Sequence, residues 1–363
     1  MYLARACELA ARGIGNTSPN PPVGAVLVRD GVTIGEGFHH RRGDPHAEVE
    51  ALRAAGGDAA GATLYVSLEP CDHDGRTPPC APAIVAAGVV RVVIGALDPN
   101  PKTDARGVER LRAAGVAVDV VNDPEALRLI EPFARAVTSP RPFVTLKLAA
   151  SLDGHVAPAP EPFWLTGPEA RSFVRELRAA HDAVLVGAGT ITADDPLLTV
   201  RPPYARLVPY RRAVICDGRA VPAESRVFLQ ADGYAPTLVL AAGPRARFGQ
   251  LERVAEVAYI GEEDAPSVDL EAALVVVRER GVTSVLCEGG PRLAARLLAA
   301  GLVDRLEWLV APRLLAGPHA VPALGRALAV DQAMAVDRVE HLGDDLRISA
   351  RPRAAVSNPR GAA

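Results

Sequence analysis

Short β-rich runs alternate with helical segments over the first 140 residues. Apolar residues at helical spacing over residues 1–11 predict an amphipathic helix. Residues 23–29 and 33–37 predict two strands joined by a turn at Asp30-Gly31. Further helices are predicted at residues 48–55, 82–87 and 108–114, and further strands at 63–68, 89–96 and 116–121. Strands that alternate with helices predict an α/β layer structure with a largely parallel sheet.

A second set of elements begins after the Ser-Pro-Arg-Pro stretch at residues 139–142. Proline prevents a helix from continuing there, so we interpret this stretch as a linker. Strands are predicted at residues 143–149, 183–186, 213–216, 237–241, 284–287 and 305–310, and helices at 168–180 and 291–300. The pattern predicts two domains, at residues 1–138 and 139–353, and a disordered tail at residues 354–363.

Length, charge and hydropathy restrict the classes of protein. A chain of 363 residues is long enough for two domains. The net charge of -3 argues against a dedicated nucleic-acid binder, which needs clustered positive charge. No apolar stretch approaches the roughly 20 residues that cross a bilayer, and Arg5 and Glu8 interrupt the first helix, unlike a signal peptide. We therefore expect a cytoplasmic protein with no membrane partner.

The five cysteines are odd in number and widely scattered, which is not typical of a disulfide framework. Cys7, Cys216 and Cys287 lie in apolar surroundings, and we expect them to be small buried hydrophobic residues. Cys71 and Cys80 differ, because they flank a loop of prolines and polar residues.

Three short elements in the first half predict a catalytic zinc site. They are His46-Ala47-Glu48, Glu69-Pro70-Cys71, and Cys80 at the entry to the next helix. One imidazole and two thiolates hold Zn²⁺ tetrahedrally and leave a fourth position for water, whose pKa then falls to about 7. Glu48, which is not a ligand, would transfer protons in a hydrolytic deamination. We predict one Zn²⁺ per chain, held by His46, Cys71 and Cys80.

Other histidines lie near these elements. His39 and His40 precede His46, and His73 lies two residues beyond Cys71, where it is an alternative ligand. Glu48 favours His46. Positions two apart on a regular helix point in nearly opposite directions, so His46 must coordinate from an irregular first turn.

A longer resemblance appears in the loop from Cys71 to Cys80. The usual deaminase signature separates its cysteines by two residues, whereas here Asp-His-Asp-Gly-Arg-Thr-Pro-Pro intervenes. With Asn-Pro-Pro-Val-Gly at residues 20–24 and Asp-Pro-Asn-Pro at 98–101, this loop resembles the bifunctional deaminase/reductase family of riboflavin biosynthesis. The resemblance implies a cytidine-deaminase-like α/β/α domain. It also implies that a pyrimidine and its ribose phosphate are held by Asn20, His39, His73, Arg76, Asp98 and Asn100.

The second half lacks a Gly-x-Gly-x-x-Gly fingerprint. Gly-Ala-Gly-Thr at residues 187–190 comes nearest but lacks the third glycine, which argues against a Rossmann domain. Glu288-Gly289-Gly290 lies between a predicted strand and a helix that begins at Pro291. The free N–H groups and dipole of that helix favour an anion such as the phosphates of a dinucleotide.

The family resemblance continues in this half, at Lys-Leu-Ala-Ala-Ser-Leu-Asp-Gly (147–154), Trp-Leu-Thr-Gly (164–167) and Asp-Asp-Pro (194–196). It implies an α/β domain with a dihydrofolate-reductase-like fold that uses NADPH. The implied cofactor contacts are Ala150, Trp164, Thr190, Asp194, Gly289, Gly290 and Arg296. The implied substrate contacts are Lys147, Arg178, Leu198, Arg201 and Glu288.

Two departures from the family pattern leave other hypotheses open. Pro162 replaces a serine two residues before Trp164, and residues 102–106 replace a run of small residues. The first departure suggests a non-catalytic C-terminal binding or regulatory domain, and the second a relative recruited to another pathway. A nucleic-acid-editing deaminase and a purely structural zinc site are further alternatives, although the acidic charge argues against the former.

The leading hypothesis is an enzyme that catalyses two consecutive steps. It removes the 2-amino group of 2,5-diamino-6-(ribosylamino)pyrimidinone 5′-phosphate and then reduces the ribosyl group to a ribityl chain with NADPH. We therefore expect a small-molecule pyrimidine ribosyl phosphate as the ligand and no nucleic acid. The sequence is compatible with a homo-oligomer.

Overall fold

The chain forms two compact units in the computed structural model, which describes residues 1–101, 103, 105–156, 164–218, 221–230, 233–317, 320–325 and 332–353. The first unit contains residues 1–142 and 280–283, and the second contains residues 143–279 and the chain from residue 284 onward. Pro162, Lys102, Asp104 and the tail from residue 354 lie outside the described residues. None of the described helices combines the length and apolar character needed to cross a bilayer.

The first unit is built on a five-stranded sheet. Its elements are α1 (Tyr2–Ala11), β1 (Gly24–Arg29), β2 (Val32–Phe38), α2 (Ala47–Ala54), β3 (Thr63–Leu68), α3 (Cys80–Ala86), β4 (Arg91–Ala96), α4 (Arg106–Ala113), β5 (Ala117–Val120), α5 (Pro124–Leu129) and α6 (Glu131–Thr138). The strand order is β2-β1-β3-β4-β5.

The expectation of a largely parallel sheet is wrong for this unit. Strands β3, β4 and β5 are parallel, but β1 is antiparallel to both β2 and β3. The reason is the two-residue turn between β1 and β2. Asp30 and Gly31 have φ values of 52° and 76°, the left-handed conformation that a tight hairpin requires, and they direct β2 back along β1.

Helices cover both faces of this sheet, and glycines let two of them approach closely. A Cβ atom on Gly24 of β1 would lie 2.1 Å from the Ala6 carbonyl oxygen of α1. One on Gly37 of β2 would lie 2.5 Å from the Ala47 carbonyl oxygen of α2. Gly37 pairs with Ala25, the neighbour of Gly24, so α1 and α2 lie on opposite faces. This gives the α/β/α layers that the resemblance implied.

The second unit is built on a nine-stranded sheet. Its elements are β6 (Phe143–Ser151), β7 (His155–Val156), α7 (Pro168–Ala180), β8 (Ala183–Gly187), α8 (Ala188–Asp194), β9 (Arg211–Asp217), β10 (Leu238–Ala242), β11 (Glu256–Tyr259), α9 (Leu270–Glu279), β12 (Ser284–Cys287), α10 (Pro291–Ala299), β13 (Arg305–Ala311), β14 (Val321–Pro322), β15 (Met334–Leu342) and β16 (Asp345–Pro352). The strand order is β11-β10-β9-β8-β12-β6-β13-β16-β15, and β7 pairs with β14 separately.

Strands β6 and β8 to β13 are mutually parallel, and within the described part of this sheet only β16 runs in the opposite direction, so that it pairs antiparallel with both β13 and β15. Central strands are buried on both faces, as β10 shows, because each of its five residues is buried. The carboxyl ends of the parallel strands therefore meet at one edge, where the loops to α8 and α10 begin.

Several elements were absent from the sequence-based prediction. α5, α6, α8 and α9 were missed, as were the strands β11, β15 and β16. β15 lies at the sheet edge and carries mostly exposed polar residues, so it lacks the apolar alternation of a half-buried strand. The helix predicted at 82–87 begins earlier, at Cys80, and the strand predicted at 89–96 begins at Arg91. The burial predicted for Cys7, Cys216 and Cys287 is confirmed.

Candidate functional site

The three predicted zinc ligands come together in the first unit. His46 immediately precedes α2, Cys71 follows β3, and Cys80 is the first residue of α3. His46 has extended backbone angles, φ −75° and ψ 162°, so its side chain leaves from outside the regular helix. The backbone of His46 thus meets the requirement that this residue lie outside a regular helical turn.

The distances between the three side chains fit a tetrahedral zinc ion. His46 Nδ1 lies 3.5 Å from Cys71 Sγ and 3.3 Å from Cys80 Sγ, and all three ligand atoms lie within 4.8 Å of one another. Zinc bonds of about 2.1 Å to nitrogen and 2.3 Å to sulfur place tetrahedral ligands roughly 3.6 Å apart. The nitrogen and sulfur donors are also those that zinc prefers. The cluster therefore fits zinc in both spacing and chemistry.

Two hydrogen bonds hold these ligands in place, and one comes from a residue that the sequence did not indicate. A metal at His46 Nδ1 leaves the ring hydrogen on Nε2, which lies 3.2 Å from Thr77 Oγ1. The backbone N–H of Cys80 donates to Cys71 Sγ at 3.4 Å. A threonine in a polar loop carries no local signal of such a role, so only the fold reveals Thr77.

The environment of the two thiols favours a thiolate. A hydrogen bond from the Cys80 thiol and the neighbouring His46 imidazole lower the pKa of the Cys71 thiol below its ordinary value. The same hydrogen bond raises the pKa of Cys80. Zinc ligation requires both groups to be deprotonated, so binding of the metal releases protons from this cluster.

Glu48 lies beside the ligand cluster, in the first turn of α2. It is 3% exposed, and its Oε2 atom has no hydrogen-bond partner among the described residues. Burial and the nearby Cys71 raise the pKa of Glu48 to about 7. A carboxyl group that titrates near neutral pH is suited both to accept and to donate a proton.

A cavity of about 240 Å³ opens next to this cluster. Among its lining residues are His46, Cys71 and Glu48, together with all six side chains that the resemblance assigned to the pyrimidine phosphate: Asn20, His39, His73, Arg76, Asp98 and Asn100. The structure thus brings the candidate deaminase residues to one cavity.

Asn20 and His39 form a fixed pair in that wall. The Pro45 carbonyl oxygen lies 3.1 Å from His39 Nδ1, and Asn20 Nδ2 lies 3.2 Å from His39 Nε2. Burial lowers the pKa of His39, so the ring is neutral. If Nδ1 donates to Pro45, Nε2 accepts from the Asn20 amide and fixes the orientation of that amide.

Asp98 and Asn100 lie on a loop that buried polar groups hold in shape. Asp98 Oδ1 accepts from the Asn100 N–H at 2.9 Å, and Thr103 Oγ1 donates to Asp98 Oδ2 at 2.9 Å. Glu69, which is 4% exposed, accepts from the N–H groups of Asp98 and Val108 at 3.2 Å. Asp98 therefore orders its own loop, and Glu69 anchors that loop to the sheet.

Two further lining residues were not singled out from the sequence. Arg42 lies on the loop before α2, and Phe133 lies on α6. Arg41, next to Arg42, pairs with Asp44. An arginine in a polar loop and an aromatic residue in a short helix carry no specific signal, so their position at the cavity emerged only from the fold.

In the second unit, Lys147, Arg178 and Glu288 form one buried ionic group. Glu288 directly follows β12, and Lys147 lies on the neighbouring β6. Arg178 of α7 donates to Glu288 through Nε at 2.5 Å and Nη2 at 2.9 Å, and Lys147 Nζ lies 3.9 Å away. Burial opposes ionisation of Glu288, but the Arg178 charge and hydrogen bonds hold its pKa below the ordinary value.

The glycine-rich turn after β12 lies beside α8. Gly290 precedes α10 with φ −68° and ψ −179°, and no side chain caps the helix. A Cβ atom on Gly290 would lie 3.9 Å from Thr190 Oγ1, and Cβ atoms on Gly187 or Gly189 would meet nothing within 4 Å. Open space over three glycines and uncapped N–H groups fit the phosphates of a dinucleotide.

The other predicted cofactor and substrate residues have varied surroundings. Ala150 is buried in β6, and Asp194 is exposed at the end of α8. Trp164 is 74% exposed, with the Arg171 guanidinium 4.9 Å from its ring centre. Leu198 is buried in the core with φ 52°, and Arg201 is exposed and bonded to Thr199.

Arg296, a predicted cofactor contact, is engaged within the protein. Its Nη1 donates to Asp217 Oδ2, and its Nη2 donates to the Val268 carbonyl oxygen, both at 2.6 Å. These bonds connect α10 to the end of β9 and to the segment before α9.

Known protein families match both halves of the chain. Residues 1–96 match the cytidine and deoxycytidylate deaminase zinc-binding region, and residues 142–348 match the RibD C-terminal domain. The chain is 40% identical over 352 residues to the riboflavin biosynthesis protein RibD of Aquifex aeolicus, covering 96% of each chain. It is 40% identical over 363 residues to RibD of Escherichia coli, covering 95% of this chain and 97% of that one.

Solved structures show the same agreement over nearly the whole chain. Acinetobacter baumannii RibD superposes with a TM-score of 0.83 at 36% identity, covering 97% of this chain and 98% of that one. The Thermotoga maritima diaminohydroxyphosphoribosylaminopyrimidine deaminase/5-amino-6-(5-phosphoribosylamino)uracil reductase superposes with a TM-score of 0.82 at 35% identity and the same coverage.

The folds and sites define a zinc-binding deaminase joined to a reductase that uses a nicotinamide cofactor. The chain belongs to the RibD family and is a bifunctional deaminase and reductase of riboflavin biosynthesis. The fold class and the two activities expected from the sequence are thereby confirmed.

Proposed function

We propose that the first domain, residues 1–138, removes the 2-amino group of 2,5-diamino-6-(ribosylamino)pyrimidinone 5′-phosphate. The second domain, residues 139–353, then reduces the ribosyl group of the product to a ribityl chain. The name of the Thermotoga maritima relative supports this pair of substrates, because it specifies the same two reactions. The match to that relative covers 97% of this chain.

In the deaminase step, His46, Cys71 and Cys80 hold one zinc ion per chain. Zinc supplies Lewis acidity toward the attacking water. Glu48 accepts a proton from that water as its oxygen bonds to C2 of the ring, and delivers the proton to the adjacent ring nitrogen. The remaining proton of the new C2 hydroxyl then passes through Glu48 to the amino group, which leaves as ammonia when the C2–N bond breaks and the C2 carbonyl forms. The raised pKa of Glu48 suits both transfers.

The remaining cavity residues orient the substrate. Asn20 and His39 offer a fixed amide and a neutral imidazole to the polar edges of the ring and ribose. His73, Asp98 and Asn100 face the same cavity. Arg76 supplies a cation for the 5′-phosphate, to which a guanidinium can donate two parallel hydrogen bonds.

In the reductase step, bound NADPH would supply the hydride that C1′ gains as its bond to the ring oxygen breaks. The cofactor contacts that we assign are Ala150, Trp164, Thr190, Asp194, Gly289, Gly290 and Arg296. The substrate contacts are Lys147, Arg178, Leu198, Arg201 and Glu288. Lys147, a cation 3.9 Å from Glu288, is the group placed to donate a proton to the ring oxygen, which becomes an alcohol when its bond to C1′ breaks.

The observation that carries the deaminase assignment is Glu48, a buried carboxyl group with one unpartnered oxygen beside three zinc-ligand atoms. The test is a two-stage assay of the full chain. Ammonia release from the diaminopyrimidinone phosphate is followed first, and NADPH oxidation with the deaminated phosphate second.

Glu48→Gln should retain zinc and NADPH oxidation while ammonia release falls by about two to four orders of magnitude. Glu50→Gln is the matched control, because Glu50 lies on the same helix but pairs with Arg53 outside the cavity lining, and it should keep both activities. Ammonia release from Glu48→Gln at the unaltered rate would refute the role of Glu48. Ammonia release without any NADPH oxidation by the unaltered chain would instead favour a non-catalytic C-terminal domain.

A further inference from the structure

We propose that Arg247, together with Gly218 and Gly243, forms a subsite for the 2′-phosphate of the cofactor's adenosine ribose and thereby selects NADPH over NADH. The proposal rests on the assignment of a nicotinamide cofactor to the second unit. It adds the residue that distinguishes the two forms of that cofactor.

The direction in which the cofactor lies follows from the sheet. Strands β12, β8, β9 and β10 are consecutive and parallel, so their carboxyl ends follow one another along one edge. Ligands of open α/β sheets bind outside such an edge. The open glycine turn at Gly290 and the neighbouring Thr190 place the pyrophosphate at β12 and β8. The ionic group of Lys147 and Glu288 lies on the other side, toward β6.

The nicotinamide end must face that ionic group, because hydride transfer occurs at the substrate. The adenosine end therefore extends the other way, toward β9 and β10. Neighbouring strands lie about 5 Å apart, so an adenosine ribose attached to this pyrophosphate reaches the end of β9. A 2′-phosphate on that ribose lies in the region between β9 and β10.

Glycines end both of these strands. Gly218 follows Asp217, the last residue of β9, and Gly243 follows Ala242, the last residue of β10. The Gly218 N–H donates to the Ala242 carbonyl oxygen at 3.0 Å, which joins the two turns. Their φ values are 61° and 109°, a conformation that glycine adopts without strain. The absence of side chains lets a ligand approach the backbone here.

Arg247 lies directly over these turns. Its Nη1 donates to the Gly218 carbonyl oxygen at 3.2 Å, and lies 3.4 Å from the position that a Cβ on Gly218 would occupy. The side chain is exposed and forms no ion pair with any described residue. A guanidinium has five N–H donors, so most of them are available to a phosphate.

Among the described residues of this region, Asp217 and Arg245 already have partners, which leaves Arg247 for a ligand. Asp217 is bonded to Arg296, so its carboxylate does not neutralise Arg247. Arg245 lies over the ring of Tyr259, with 4.7 Å between its guanidinium carbon and the ring centre. A 2′-phosphate would pair with the positive charge of Arg247 and accept its hydrogen bonds, whereas the 2′-hydroxyl of NADH carries no charge. The subsite therefore recognises a phosphate monoester on an adenosine ribose.

The test compares two adenosine nucleotides by titration calorimetry with the full chain. Adenosine 2′,5′-bisphosphate carries the 2′-phosphate, and 5′-AMP lacks it. The unaltered chain should bind the bisphosphate more tightly. Arg247→Ala should weaken bisphosphate binding about 10- to 100-fold, the effect of one charge-assisted contact, and leave 5′-AMP binding within about twofold.

Arg253→Ala is the matched control, because Arg253 is also exposed and its removal changes the net charge equally. It should change neither affinity. Arg247→Lys should recover part of the bisphosphate affinity. In steady-state kinetics, Arg247→Ala should raise the KM for NADPH by the same factor and leave the KM for NADH unchanged.

Equal weakening of both nucleotides by Arg247→Ala, or no weakening of either, overturns the subsite. A lack of preference for the bisphosphate in the unaltered chain overturns it as well, while oxidation of either dinucleotide leaves the proposed reductase function intact. If the unaltered chain oxidises neither NADPH nor NADH with the deaminated substrate, the reductase function itself fails and this subsite fails with it.

Discussion

Replacement of Arg178 by methionine should destabilise the second unit strongly, because it leaves a buried carboxylate without its main partner. The Glu288 side chain is 7% exposed and the Arg178 side chain 17%, and two hydrogen bonds join them. Lys147, at 3.9 Å, is the nearest remaining cation in an ion pair with Glu288. Breaking a buried pair by removing one partner costs about 3–5 kcal/mol, whereas an exposed pair contributes about 0–1 kcal/mol.

Urea unfolding, monitored by tryptophan fluorescence, measures the stability of the second unit. Both tryptophans of the chain, Trp164 and Trp308, belong to the second unit. Arg178→Met should lower the urea midpoint by about 1–2 M, because a unit of this size has a slope of about 3 kcal/mol per molar urea, the upper end of the usual range of about 1–3. Arg351→Met, which disrupts the more exposed pair with Asp337, is the control and should change the midpoint little.

The pH dependence gives an independent test. Arg178 depresses the pKa of Glu288 in the folded chain, so the stability from this pair is present above the unfolded pKa and is lost as pH falls through the folded pKa. Without Arg178, burial raises the pKa of Glu288 instead. The deficit of Arg178→Met should be greatest at neutral pH and should shrink on acidification, when Glu288 takes up a proton.

The double variant Arg178→Met/Glu288→Gln removes the uncompensated charge and should recover part of the stability. A deficit below about 1 kcal/mol that does not vary with pH would refute the reasoning, because it would mean that Glu288 is solvated or neutral in the folded chain.

Three further predictions concern the two sites. Thr77→Val should fold normally but lower zinc affinity about 10- to 100-fold in chelator competition, because His46 Nε2 loses its hydrogen-bond partner; unchanged affinity would contradict that contact. Gly290→Val should fold, since its backbone is extended and the nearest atom lies 3.9 Å from the new Cβ, yet the KM for NADPH should rise sharply while ammonia release is unchanged. Lys147→Ala should still bind NADPH, measured by fluorescence titration, but should fail to reduce; loss of cofactor binding would place Lys147 with the cofactor instead.

The local sequence determined much of the deaminase site. His46, Glu48, Cys71 and Cys80 are chemically distinctive, and each lies where a strand or loop meets a helix, so spacing and residue type were sufficient to predict them. The parallel strands of the second unit were also predictable, because central strands are continuous apolar runs. The hairpin of β1 and β2 was predictable from its Asp-Gly turn, but the antiparallel pairing of β1 with β3 was not, since that pairing depends on which strands meet in space.

Tertiary structure alone decided the partners of these residues. Thr77 contacts His46 across 31 positions of sequence, and Arg178 pairs with Glu288 across 110. Arg247 reaches the turn at Gly218 only because β9 and β10 are neighbours in the sheet. Burial, likewise, sets the raised pKa of Glu48. A sequence specifies which groups are available, but distances and desolvation arise only when the chain folds and distant segments exclude water together.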